Sequence, residues 1–264
     1  METPFTNTEI YIQDFNPKDY YDTYYSPGTG ALQGEWTHFA LKNLHELFSS
    51  GQVKGDTMID IGTGPTIYQL LSACKAFKNI ILSDFLEPNR VELKRWLDKE
   101  PGRMDWSELV QACCDLEGNS EKCEKKENKL CESVKNILKC DVLKKNPFEP
   151  LVLPQVDCLL SCLCLEAACK DVAAYRDTVR NLKDLLKPGG HIILLSMLQS
   201  TFYYVGDKRF SGLQITKEDI ERAFKEGGYE ILRLDTEPRQ DMSMLSLSDY
   251  ETLYLLHARK PCDL

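Results

Sequence analysis

Asp60-Ile61-Gly62-Thr63-Gly64-Pro65-Thr66 follows a short apolar run of β character, and this turn has the residue types for binding chemistry. Its two glycines remove Cβ atoms, so a ligand can come close to the backbone at the carboxyl end of a strand. Three ligand classes compete for such a turn. A dinucleotide fingerprint needs a third glycine, where this chain has Ile67. A P-loop needs G-x4-G-K-[ST], and no such lysine is present. The methionine half of S-adenosylmethionine sits over a turn of the E/D-x-G-x-G kind, and Asp60, two residues before Gly62, matches it. Asp84 stands 24 residues after Asp60 at the end of the next apolar run. A carboxylate there can accept both ribose hydroxyls of an adenosine, although a nicotinamide dinucleotide uses the same position. Asp141 beside Val142 can accept from an adenine amino group while the valine lies under the ring. Each residue alone reads equally well as an ordinary strand end or a plain turn. Their order, each at a strand end, favours S-adenosylmethionine.

These groups need a frame that brings strand ends together. NIILSDF at 79–85 reads as a second buried strand after DTMIDI, LKCDV at 138–142 as a third strand end, VDCLLSCL at 156–163 as a fourth and HIILLSML at 191–198 as a fifth. Helical patterns occupy 35–50, 66–77, EPNRVELKRWLDKE, the stretch through AAYRDTVRNLKDLLK, and 216–228. In the last of these Thr216 is a candidate N-cap with Asp219 at the capping-box position. Strands alternating with helices demand parallel pairing and right-handed crossovers. YEILRLD (229–235) and TLYLLHARK (252–260) are expected to close the sheet as an antiparallel pair. The Lys- and Glu-rich residues 115–139 read as a solvated helical excursion whose charges carry no chemistry. The expectation is one domain, 1–264, with an aromatic N-terminal segment and helix at 1–50 and a sheet core of about seven strands at 55–260.

Composition narrows the partners. The chain has 264 residues, 42% of them hydrophobic and 28% charged, with 32 basic against 41 acidic side chains and a net charge of −9. A surface of that sign repels phosphate backbones, so no nucleic-acid partner is expected. No apolar run approaches the roughly 18–20 residues that span a bilayer, and no membrane partner is expected. Met-Glu-Thr-Pro-Phe lacks a basic or apolar leader, so a cytoplasmic location is expected. The eleven cysteines are odd in number and irregularly spaced. They read as reduced, packed thiols, including the DCLLSCLCLEAAC run, and not as a disulfide framework or a metal site.

DIGTGPTIYQLLSAC, LSDF, RWLDKEPGRMDW, CDLEGN, LKCDV, NLKDLLKPGGH and the opening F-x-P-x-x-Y-x-x-x-Y-Y at Phe15 to Tyr25 carry a resemblance over nearly the whole chain. It resembles the nicotinamide, indolethylamine and phenylethanolamine N-methyltransferases, most strongly the first two. The resemblance implies an α/β class I methyltransferase: a Rossmann-like, seven-stranded, mostly parallel sheet with helices on both faces and an N-terminal helical lid. It implies S-adenosylmethionine as methyl donor and S-adenosylhomocysteine as product, a small-molecule amine, pyridine or thioether acceptor, and a monomer. Donor contacts carried over by motif fall on Tyr20 and Tyr25 of the lid, Gly62, Thr63, Tyr68, Asp84 and Asn89, Asp141 and Val142, and Cys162. Cys162 stands where Thr or Leu is usual. Acceptor contacts fall on Tyr20, Ser196, Ser200 and Tyr203, with Tyr204 a further candidate and a strand-end role for Ser200 equally open.

The acceptor side departs from the nicotinamide enzyme. Ser196 in L-S-M-L-Q-S stands where that enzyme has Asp in M-D-A-L-K-S, and Ser211-Gly212 replaces a serine pair. Trading a charge-assisted hydrogen bond for a neutral one costs about 1.5–3 kcal/mol, one to two decades of affinity. In-line displacement at a sulfonium methyl needs alignment and water exclusion more than a strong base. No catalytic base is assigned, and the four histidines read as structural. A protonated alkylamine must lose a proton, for which Glu166, Asp235 and Asp241 are unranked acceptors. A donor-binding paralogue without turnover and a macromolecular methyltransferase are the rival readings. The second lacks the [DNS]-P-P-[YFW] run of base-modifying enzymes, since SCLCLE occupies that place.

Overall fold

The computed structural model describes residues 5–32, 34–118 and 123–262. Asn119, the end of the CDLEGN motif, lies outside them. Among the described residues a seven-stranded sheet runs in the order β3-β2-β1-β4-β5-β9-β8. Its strands are β1 (Gly55–Ile61), β2 (Phe77–Asp84), β3 (Val134–Lys139), β4 (Val156–Cys162), β5 (Leu186–Leu198), β8 (Glu230–Pro238) and β9 (Thr252–Arg259). β6 (Phe202–Val205) and β7 (Lys208–Ser211) form a separate antiparallel hairpin. The five strands from β3 to β5 pair in parallel, whereas β9 pairs antiparallel with both β5 and β8. The strand order reverses between β1 and β4, and a crevice opens there beyond their carboxyl ends.

Nine helices cover this sheet among the described residues. α1 (Thr8–Asp14), α2 (Pro17–Tyr24) and α3 (Glu35–Ser49) build the N-terminal part. Asn7 and Asn16 cap the first two through their side chains, and Pro17 opens α2, where its missing N–H costs nothing. α4 (Glu87–Leu97), α5 (Ser107–Leu116), α6 (Cys123–Ser133), α7 (Leu165–Ala168), α8 (Val172–Leu182) and α9 (Lys217–Glu226) follow. The Thr216–Asp219 capping box expected from the sequence is present at α9. No helix of the described residues is long and apolar enough to cross a membrane.

Three expectations need correction. Residues 66–77 are not an α-helix but two 3-10 turns, Tyr68–Leu70 and Ala73–Lys75. The residues from Ile67 to Cys74 are all buried, so the segment has no polar face, and the Gln69 and Thr66 side chains hydrogen-bond local carbonyls that an α-helix would use. The third strand ends at Lys139, which leaves Cys140, Asp141 and Val142 on the loop at the crevice. The charges of 115–139 are not all solvated either. Lys126 is buried, donating to the Leu71 carbonyl at 3.0 Å and to the Glu117 carboxylate at 2.6 Å. Lys75 reaches the same carboxylate from the 3-10 turn, so the pair pins the excursion to the sheet layer.

Candidate donor and acceptor cavity

The crevice is a cavity of about 220 Å³ whose walls come from the ends of β1 to β5, from α1 and α2, and from the β6–β7 hairpin. At its floor the turn after β1 is fixed from below. The Thr63 N–H donates to the Ser83 carbonyl at 2.8 Å, and the Ser83 N–H donates back to Thr63 Oγ1 at 3.1 Å. Both glycines have positive φ, +68° at Gly62 and +63° at Gly64. A Cβ on Gly62 would lie 2.1 Å from the Cys164 sulfur, so glycine is required there by packing as well as by backbone. Gly64 faces open space on its Cβ side, so no side chain stands between the turn and a ligand.

Asp84 is buried at the end of β2, and three donors meet it. The Gly64 N–H donates to Oδ2 at 2.8 Å, while the Leu86 N–H and Asn89 Nδ2 donate to Oδ1 at 2.8 and 3.0 Å. Burial raises its carboxyl above the usual range, and these donors oppose that shift. Each carboxylate oxygen has about two acceptor positions, so Oδ1 is filled and one position remains, on Oδ2, for a hydroxyl. Asn89 Oδ1 is buried without a partner among the described residues, and Asn89 lines the cavity beside Asp84. An unmatched acceptor next to a carboxylate suits the vicinal hydroxyls of a ribose. Asp141 and Val142 border the same end, with Asp141 Oδ1 accepting from the Leu143 N–H at 3.2 Å. Behind the turn, Asp60 is buried and accepts from Gln69 Nε2 at 2.9 Å, while its Oδ1 has no partner among the described residues; burial lifts its carboxyl to about 7.

The aromatic N-terminus closes the other side. Ring centroids run Tyr11–Phe15 5.1 Å, Phe15–Tyr20 5.4 Å and Tyr20–Tyr24 5.2 Å, and Phe15 meets Phe210 of β7 at 5.7 Å. Tyr20 lines the cavity, as do Gly62, Thr63, Tyr68 and Cys162. Tyr25 does not reach the wall. It stacks on Tyr68 at 5.3 Å, and Tyr68 also accepts from Trp36 Nε1 at 3.0 Å, so Tyr25 supports the lining tyrosine. Thr6 clasps the far end: its N–H donates to Ser211 Oγ at 3.0 Å, and the Ser211 N–H donates to Thr6 Oγ1 at 2.9 Å.

At the β5 end of the cavity Ser196, Ser200 and Tyr203 are all on the wall. Ser200 Oγ lies 3.3 Å from both the Phe202 carbonyl and Asp249 Oδ1, so its strand-end bonds are real even though it faces the cavity. Tyr204 points elsewhere, and its carbonyl accepts from the Tyr24 hydroxyl at 2.6 Å. Of the three carboxylates considered for proton acceptance, Asp235 pairs with Arg233 and Asp241 with Ser243, both exposed and off the cavity wall. Glu166, on α7, is buried and lines the cavity. Its Oε2 accepts from Ser196 Oγ at 2.7 Å and its Oε1 from the Tyr254 hydroxyl. The sequence lacked any periodic or motif signal to single out Glu166, because α7 has only four residues. Among the described residues no group of three or more His, Cys, Asp or Glu could hold a metal ion.

Comparison with known proteins agrees with this geometry. Residues 2–261 match the NNMT/PNMT/TEMT family. The chain is 45% identical to nicotinamide N-methyltransferase of Homo sapiens over 261 residues, covering 98% of each. It is also 45% identical to indolethylamine N-methyltransferase of Oryctolagus cuniculus over 262 residues, covering 99% of each. Against phenylethanolamine N-methyltransferase of Macaca mulatta the identity is 38%, with 94% of this chain and 89% of that one covered. Among solved structures, magnesium protoporphyrin IX methyltransferase from Synechocystis PCC 6803 with bound SAM superposes with a TM-score of 0.59 at 12% identity, covering 98% of this chain and 100% of that one. At that identity the likeness speaks for the fold.

Proposed function

Because the chain belongs to the NNMT/PNMT/TEMT family and is an S-adenosylmethionine-dependent N-methyltransferase of small molecules, we propose that its acceptor is a primary or secondary arylalkylamine. The observation that carries this reading is the buried Glu166 carboxylate on the cavity wall, bonded to Ser196. A pyridine nitrogen needs no proton removed. An alkylamine arrives as an ammonium, and a carboxylate at the acceptor end both attracts it and takes its proton.

S-adenosylmethionine supplies, when bound, a methyl group already activated on a sulfonium sulfur. In our reading Asp84 and Asn89 hold the ribose hydroxyls, Asp141 and Val142 the adenine, and the Gly62–Gly64 turn the amino-acid end. Tyr68 and Cys162 form the wall beside the reacting centre. Tyr20, with Tyr24 and Phe15, covers both ligands and keeps water from the transfer. Tyr203 and Ser200 border the acceptor. Glu166 receives the ammonium proton, which leaves the nitrogen lone pair free to form its bond to carbon as the carbon–sulfur bond breaks. Burial pushes the Glu166 carboxyl up, so it holds a proton readily, and an approaching ammonium favours its ionised form. We also take the chain to work as a monomeric, cytoplasmic single domain whose residues 1–50 supply the N-terminal lid and helix.

The test is Glu166→Gln, assayed with tryptamine and with nicotinamide. We expect kcat/KM for the amine to fall about a hundredfold, the loss of a charge-assisted bond plus the proton acceptor. Turnover of the pyridine should stay within a few-fold. An amine efficiency unchanged in the variant would refute the acceptor assignment.

A further inference from the structure

Ser196 and Tyr254 face each other directly across the antiparallel β5–β9 pair. Residues in that relation point to the same side of the sheet, and here both hydroxyls end on one carboxylate, a separate oxygen each. Tyr254 is fully buried and is not part of the cavity wall, and its hydroxyl meets the wall at Glu166. The Tyr175 hydroxyl of α8 lies 3.4 Å from that of Tyr254 and holds it in place from behind. The Leu213 N–H donates to the Glu166 carbonyl at 2.8 Å, so the backbone of the short α7 is tied down as well.

We propose that Tyr254 is a positioning residue for acceptor choice, which together with its cross-strand partner Ser196 clamps the Glu166 carboxylate toward the cavity and so makes the site selective for ammonium-bearing acceptors over neutral ones. The inference rests on the assignment of Glu166 above. A free glutamate on a four-residue helix has several rotamers, and two fixed donors select one of them. The clamp leaves one acceptor position on each oxygen for the incoming N–H groups. It also sets the pH at which the site works. The titratable groups facing Glu166 are the phenols of Tyr175 and Tyr254 and the thiols of Cys162, Cys164 and Cys169. In that setting burial raises the carboxyl, and the hydroxyls of Tyr254 and Ser196 are what lower it again.

The deciding variant is Tyr254→Phe, which keeps the ring and deletes one donor, measured beside Ser196→Ala and Glu166→Gln. For tryptamine we expect KM to rise about tenfold in Tyr254→Phe with kcat changed less. The acidic limb of the pH–kcat/KM profile should move to higher pH. For nicotinamide, efficiency and pH profile should stay within twofold, and calorimetric affinity for S-adenosylhomocysteine should match wild type, which separates a clamp from misfolding. Equal losses for amine and pyridine, or an acidic limb that does not move, would overturn the clamp. Loss of amine selectivity in Glu166→Gln but not in Tyr254→Phe refutes the clamp and leaves the Glu166 assignment standing. Unchanged selectivity in Glu166→Gln refutes both.

Discussion

Two buried aspartates flank the glycine turn, and they differ in what they can be asked. Asp84 has its oxygens at the cavity and donors already aimed at them. Asp84→Ala removes the carboxylate to which we assign a ribose hydroxyl and, with it, the partner of the Gly64 N–H. We expect at least a hundredfold loss of S-adenosylhomocysteine affinity by calorimetry, and full affinity in the variant would contradict the ribose assignment. Asp60 is behind the turn, and its carboxyl titrates near 7, far above its unfolded value. Between about pH 4 and 7 the folded chain therefore binds one proton that the unfolded chain has lost, so this group's contribution falls as pH rises through that window and is flat above it. Asp60→Asn should be stabilising relative to wild type by on the order of a few kcal/mol at pH 8 and by little at pH 4.5, read as ΔTm across pH. A gain that is constant with pH would refute the burial argument. Both aspartates were legible in the sequence because motif spacing put them at strand ends. Glu166 was only one of three unranked carboxylates, since what distinguishes it is a hydrogen bond from a tyrosine 88 residues away.

Elements were read best where the apolar pattern matched one period. α3 and α9 followed from one buried helical face, and β1, β2, β4 and β5 from short apolar runs. The segment 66–77 did not, because burial on every side removes the amphipathic signal and Gln69 spends its amide on Asp60 and on local carbonyls. That departure has a use: Tyr68 emerges from a tight 3-10 turn directly after the glycines, with Trp36 and Tyr25 holding it at the cavity wall. The turn itself is packed against Cys164, the N-cap residue of α7. Gly62→Ala should therefore combine left-handed backbone strain of about 1–2 kcal/mol with a collision on the sulfur. We expect a clear drop in Tm by differential scanning fluorimetry and a loss of donor binding. A variant with wild-type Tm and affinity would show that the turn has slack this packing does not allow.

For the whole molecule, the sheet order puts the ends of β1 to β5 in one line and the N-terminal aromatics over it, and our proposal gives donor and acceptor this one covered cavity. Ligand binding should then stabilise the folded chain by mass action, about 2.7 kcal/mol at a hundredfold excess over Kd, raising Tm by a few degrees with S-adenosylhomocysteine. Absence of any shift at saturating ligand would contradict the donor site. A net charge of −9 agrees with a cationic acceptor but does not place it; the proposal for its place rests on the carboxylate in the cavity wall. The most direct measurement is a donor-release assay on the wild-type protein with tryptamine, phenylethanolamine, nicotinamide, quinoline and dimethyl sulfide, each methylated product identified by mass. The account predicts that an arylalkylamine has the highest kcat/KM, by at least tenfold over either pyridine-type acceptor. A pyridine-type acceptor or the sulfide as the best substrate would contradict it.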